Sequence, residues 1–176
     1  LEARFQYLRA GEIDPARKIT SLLSDWLARA GFYDNVRRLN MELLDYENHP
    51  SPMSWIAKAY FDQGKYDSAE IWYHRCEDAS NISDPNGTSM AIYGLASIEM
   101  KKGDYDQARE KFEKVLEIRQ HIGDLAGEAA TFHSLAMIDL YKGNHYQARE
   151  NFKKALEFAQ KVGDRFAEAG DLHGLA

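Results

Sequence analysis

The chain has 176 residues, 44% of them hydrophobic and 28% charged, a balance typical of a globular chain with room for one domain or four to five short repeats. A formal charge of −6, an isoelectric point near 5.5 and the lack of a basic stripe argue against nucleic acid or an acidic membrane surface as a partner. No apolar run approaches the ~18 residues of a membrane span. The first residues do not read as a charged-then-apolar signal segment, and the lone Cys76 has no internal disulfide partner, which fits a reducing, cytoplasmic compartment.

In chain order, residues 1–50 read as a helical region containing one loosely patterned helix pair, "LLSDWLARAGFYDNVRRLNMELL" (22–44), folded about Gly31 with helices expected over 13–30 and 34–46. The break "ENHPSP" (47–52) precedes a second pair, "AKAYFDQGKYDSAEIWYHRC" (57–76), about Gly64, with helices over 52–63 and 66–80. "SDPNG" (83–87) separates this from a third pair, expected over 87–102 and 106–122. Two glycosylation triplets, Asn81-Ile82-Ser83 and Asn86-Gly87-Thr88, lie near that break; with no secretory segment they are read as chance occurrences. In the third pair Ile92, Leu95, Ala96 and Ile98, then Ala108, Phe112, Val115, Leu116 and Ile118, keep 3.6-residue spacing. Arg109, Glu110, Lys111, Glu113 and Lys114 fall on the opposite, solvated face, as does Arg149-Glu150 in the next pair.

A fourth pair, expected over 126–142 and 146–162, repeats the third: "GDYDQAREKFEKVLEIRQHIGD" (103–124) returns as "GNHYQARENFKKALEFAQKVGD" (143–164). The turn glycines Gly31, Gly64, Gly103 and Gly143 are spaced by 33, 39 and 40 residues, a period that marks a solenoid of stacked helix pairs with no strand. The final "AEAGDLHGLA" (167–176) aligns with "GEAATFHSLA" (127–136), so the chain is expected to end in mid-helix, as a fragment of a longer protein.

These residues resemble the tetratricopeptide repeat. The third unit carries Leu95, Ala96, Gly103, Tyr105, Ala108, Phe112 and Leu116 at the family's signature places, and the fourth carries Leu135, Ala136, Gly143, His145, Ala148, Phe152, Ala155 and Leu156. The second supplies Ile56, Ala57, Tyr60, Gly64, Tyr66, Ala69, Tyr73 and Cys76. The first departs, with Ser24 and Val36 at the two small-residue places and Asn40 at an aromatic one. The resemblance implies an all-α, right-handed superhelix of antiparallel pairs: residues 51–176 as an array with units near 51–85, 86–125 and 126–165, plus a partial unit at 166–176. The forty-residue period with "IGDLAGEAA" between units resembles the repeats of STAND-type signalling ATPases and of animal spindle-orientation scaffolds. The upstream "YLRAGEIDPARKITSLLSDWLARAGFYDNV" is similar to the region where such ATPases enter their repeats.

Within the pairs, Ala57, Ala96 and Ala136 are expected to meet Ala69, Ala108 and Ala148, with Tyr73, Phe112 and Phe152 plugging the space between units. Tyr66, Trp72 and Tyr105 are likewise assigned to packing. No constellation carries catalysis: no nucleophile motif, phosphate loop or cofactor signature is present, and none is expected. His133 and His173 occupy equivalent places on successive first helices, but no further ligand completes a metal site there.

Recognition remains. The resemblance implies a partner-binding groove lined by first helices, which here means Ser54, Trp55, Lys58 and Phe61 from the second unit. The third contributes Met90, Tyr93, Ser97, Met100 and Lys101, and the fourth His133, Ser134, Met137, Leu140 and Tyr141. Such an aromatic, Met-rich wall suits a protein or peptide segment. It lacks the Lys and Asn clamp of chaperone-binding members, where Ser54, Tyr93 and His133 stand, and the groove Asn of spindle scaffolds, where Trp55, Gly94 and Ser134 stand. Two functions follow: a scaffold or adaptor module for protein binding, or the sensor arm of a STAND-type signalling ATPase or transcriptional regulator, contacting other domains of its own chain.

Overall fold

The computed structural model describes residues 1–80 and 85–175; the triplet at Asn81 lies outside them. Among the described residues there are ten helices and no strand: α1 (Glu2–Ala10), α2 (Ile13–Arg29), α3 (Tyr33–Leu44), α4 (Pro50–Asp62), α5 (Tyr66–Ala79), α6 (Pro85–Lys102), α7 (Tyr105–Ile122), α8 (Leu125–Tyr141), α9 (His145–Val162) and α10 (Arg165–Leu175). The expected pairs are thus found as α2/α3, α4/α5, α6/α7 and α8/α9, with bounds shifted by one or two residues. The second triplet, Asn86-Gly87-Thr88, is part of the first turn of α6. Each turn glycine of the sequence pattern takes positive φ, from 72° at Gly64 to 89° at Gly103, the left-handed stop that ends a first helix. By compactness the chain divides into two units, Leu1–Gly94 and Leu95–Ala176, with the division inside α6.

In the first unit, α1 is an element to which the periodicity assigns no bounds, and its anchors are polar as well as apolar. Leu8 packs on Ala16 and Leu43, while the buried Arg4 donates to Thr20 Oγ1 (2.7 Å), the Leu39 carbonyl (2.8 Å) and Glu42 (3.0 Å). The departures of the α2/α3 pair from the repeat pattern have one cause. Asn40 and Ser24 are both buried, and the Asn40 amide donates to Ser24 Oγ at 2.7 Å and to the Val36 carbonyl at 2.8 Å, so a polar bridge replaces the aromatic plug.

Further along, Met53, Cys76 and Ala91 form a buried cluster with Leu44, Trp72 and Ala79 against it. Cys76 Sγ lies 3.3 Å from the Pro50 carbonyl and 3.7 Å from that of Gly87. Tyr73 is buried as expected, and its ring rests directly on Gly94: a Cβ added there would stand 2.2 Å from ring carbons. Burial also pushes the Tyr73 phenol well above its ordinary value.

In the second unit, Ala136, Ala148 and Phe152 form a buried cluster covered by Met137, Leu140 and Leu175. Phe152 sits over Gly174 as Tyr73 sits over Gly94, and a Cβ added at Gly174 would stand 2.5 Å from the ring. Of the α7 charges expected to be solvated, Glu110, Glu113 and Lys114 are exposed, whereas Arg109 and Lys111 are used between helices. Arg109 pairs with the buried Asp139 of α8, which also accepts from Asn151 Nδ2 of α9 at 2.9 Å, and Lys111 pairs with Glu99. Asp139 cannot stay charged in the interior without such partners, which is why an arginine on the charged face of α7 turns inward. At the α7–α8 turn, Asp124 caps the Gly127 amide (2.9 Å) and Arg119 donates to the Gly127 carbonyl and to Thr131 Oγ1, both at 2.8 Å.

Candidate functional site

Burial along the first helices decides which sequence-selected residues can meet a partner. On α8, Glu128, Ala129, Thr131, Phe132, Ser134, Leu135, Ala136, Ile138 and Asp139 are all buried. What stays open between and after them is Ala130 and, further along, a stripe four residues apart, His133, Met137 and Tyr141, with Leu140 beside it. A fourfold spacing puts these side chains on one face of the helix. Tyr141 is 55% exposed and stacks on Tyr105 with ring centroids 5.3 Å apart and planes at 16°. Next to the stack, Gly103, Asp104, Tyr105, Asp106, Gln107 and Lys142 line a shallow hollow of about 290 Å³, its rim tied by the Lys142–Asp106 ion pair. That pair holds the Asp106 carboxyl below its usual range.

Ser134 is not part of this open stripe. Its side chain is buried, and the hydroxyl donates to the Ala130 carbonyl at 3.0 Å. Ser54 is likewise buried on α4, donating to the Ser51 carbonyl at 2.8 Å. Both serines satisfy their hydroxyls on their own helix, a common use of serine within a packed helix.

The other positions stand as follows. In the first unit, Trp55 is half-buried with Nε1 donating to Ser21 Oγ (3.1 Å), Lys58 is exposed and paired with Asp62 (2.6 Å), and Phe61 meets Tyr66 at 5.4 Å. Met90 and Tyr93 of α6 are half-buried. In the second unit, Ser97 and Met100 are half-buried and Lys101 is exposed. A separate hollow of about 430 Å³ in the first unit, lined by Leu44, Asn48, Met53, Trp72, Arg75, Asp78 and Ala79, includes none of these residues.

The polar feature of the α8 stripe is His133. Its Nδ1 lies 2.7 Å from Asp171 Oδ1 on α10, and its ring meets Phe152 edge-on at 5.4 Å and 74°. Sequence reasoning placed His133 on the stripe but missed Asp171, because a carboxylate thirty-eight residues away on the next first helix has no local signature. Burial raises the Asp171 carboxyl above its ordinary value, and the hydrogen bond from His133 works against that rise. His173, the equivalent of His133 on α10, is exposed. Among the described residues no three His, Cys, Asp or Glu side chains come together as metal ligands, and no helix is long and apolar enough to cross a membrane.

Helix pairs closed by left-handed glycines, small residues where the helices cross and aromatics lodged over the next helix define a tetratricopeptide-type helical repeat protein. The tetratricopeptide repeat family model matches residues 50–120 and 87–161, well over half of the chain, and the protein belongs to that family. Its fold is shared with the crystal structure of BtubC (BKLC) from P. vanneervenii, at TM-score 0.76 and 18% identity over 98% of this chain and 75% of that one. The crystal structure of MamA is also similar, at TM-score 0.59 and 18% identity over 90% and 95% of the two chains. No curated protein matches. Proteins of this repeat family are in general non-enzymatic, protein-binding scaffolds, and the all-α repeat fold found here is that of a protein-interaction module.

Proposed function

We propose that the protein is a scaffold or adaptor that binds a segment of a partner protein along the open faces of its first helices, with the α8 stripe of His133, Met137 and Tyr141 as a principal contact. The observation that carries this reading is the pattern of burial on α8. Most of the second half of the helix is buried, yet a line of a histidine, a methionine and a tyrosine stays partly or fully accessible there. Met137 reaches from the Phe152 cluster to the surface, so it can follow the shape of an incoming side chain. Tyr141, already stacked on Tyr105, offers a rigid aromatic edge and a hydroxyl at low entropic cost. Ser97, Met100 and Lys101 offer the same kinds of side chain in the second unit, and Trp55, Lys58, Phe61, Met90 and Tyr93 do so in the first. A cytoplasmic setting and a role in signalling are in keeping with this reading.

The test is a double substitution, Met137→Ala with Tyr141→Ala. Tyr141 is mostly exposed and Met137 lies at the edge of its cluster, so the variant is expected to keep its helical circular dichroism. Peptides selected from a displayed library on the unmodified chain should lose ~2 kcal/mol or more of binding free energy, since a few central anchors dominate such interfaces. Undiminished binding by the folded variant would overturn the proposal.

A further inference from the structure

The pairing of His133 with Asp171 fixes more than the position of a ring. The Asp171 side chain is 2% exposed and that of His133 41% exposed, so the hydrogen bond ends on a buried carboxylate while part of the histidine side chain is reached by solvent. Against the ionised form of Asp171, which can only accept, the ring nitrogen 2.7 Å away carries the proton. In a neutral imidazole the other nitrogen then holds a lone pair and no hydrogen. Among the described residues Nε2 of His133 makes no hydrogen bond. The ring is clamped as well: Phe152 of α9 meets it edge-on, and on α10 a Cβ at Gly170 would lie 3.8 Å from Cε1.

We infer that Asp171 holds His133 as a fixed hydrogen-bond acceptor on the open stripe of α8, so that the peptide segment bound there must present a donor at that point: a backbone amide, an indole N–H or a hydroxyl. This rests on the binding face proposed above and adds its chemistry. With Met137 and Tyr141 flanking, the matching segment is apolar with one uncharged donor. The charged group facing the ring is Asp171 on α10, and α9 presents the uncharged Phe152 edge.

Two measurements on the full chain decide this. In histidine-labelled protein, long-range proton–nitrogen correlation spectra give the tautomer, with the His133 signals assigned by their absence in His133→Phe. The Nδ1–H form should dominate at neutral pH, and the preference should weaken in Asp171→Asn. A dominant Nε2–H form in the unmodified chain overturns the inference and leaves the binding face standing. Library-selected peptides that bind at neutral pH should lose about tenfold in affinity to folded His133→Phe, which keeps the ring and removes the acceptor. Equal affinity for His133→Phe overturns the donor requirement. A selection that recovers no peptide overturns the binding face, and the donor requirement with it.

Discussion

At Gly94 the α6 backbone lies so close to the Tyr73 ring that any side chain would collide with it, since an added Cβ would stand 2.2 Å from ring carbons. Two effects of Gly94→Ala oppose each other. Alanine is the better helix former by ~1 kcal/mol, whereas overpacking a filled site costs ~1–3 kcal/mol. A rigid, buried aromatic cannot step aside cheaply, so the clash wins and Gly94→Ala should lower the urea midpoint of unfolding. A raised midpoint would show that Tyr73 relocates at little cost. The pairing was partly legible. An aromatic nine residues after a turn glycine (Tyr73, Phe112, Phe152) recurs with a small residue nine before the next one (Gly94, Ser134), and Gly174 continues the series beneath Phe152. Sequence reasoning saw the aromatics as plugs but placed Ser134 on the groove. Periodicity within one helix assigns a face and says nothing of what the preceding helix lays across it.

Between elements, the link that sequence reasoning overlooked is the buried carboxylate of Asp139. One acid on α8 holds Arg109 of α7 and Asn151 of α9, and the Glu99–Lys111 pair occupies the same relative places one repeat earlier. Arg109 lies in a charge-rich stretch that looks solvated by helical periodicity, and only the position of the next helix turns it inward. Asp139→Ala leaves Asn151 without its acceptor and Arg109 with only the exposed Glu113, 3.8 Å away, and should destabilise by ~2 kcal/mol, less than for a fully buried charged pair because Arg109 is partly solvated. Asp139→Asn, which keeps the shape and one acceptor oxygen, should cost less. Thermal unfolding of the two variants checks the order, and equal losses would mean that the charge contributes little. The bounds of helix α1 are not legible from periodicity, and its anchors include a buried arginine as well as Leu8.

Over the whole molecule, stability in a helical repeat is a sum of local terms, each unit leaning on its neighbours. Ala69 and Ala108 hold equivalent places on α5 and α7 and both are fully buried, so leucine at either overpacks a helix crossing. Ala108→Leu should cost more, because it lies among closely matched copies, whereas Ala69 belongs to the less regular pair. Hydrogen exchange should quicken in the substituted helix and those beside it and stay unchanged at the far end of the chain. A uniform rise in exchange would contradict a sum of local terms. At this scale the sequence was most informative: a forty-residue period, turn glycines and small-residue crossings are properties of the chain alone, and the helices fall where they predict. Which surface atoms remain for a partner is a property of neighbours in space, and for that the folded chain is needed.

The buried thiol of Cys76 makes the protein its own stopwatch. Enclosed between the carbonyls of Pro50 and Gly87, the single cysteine cannot meet a maleimide until α4, α5 and the start of α6 separate. A thiol reacts only when exposed and ionised, so the labelling rate in native buffer counts openings of that one region. Labelling should be orders of magnitude slower than for a free thiol and should accelerate in Gly94→Ala, whose strain falls on a neighbouring contact of the same unit. Asp139→Ala, which acts in the second unit, should accelerate it less. Labelling at the free-thiol rate would mean that the region opens freely in the native state.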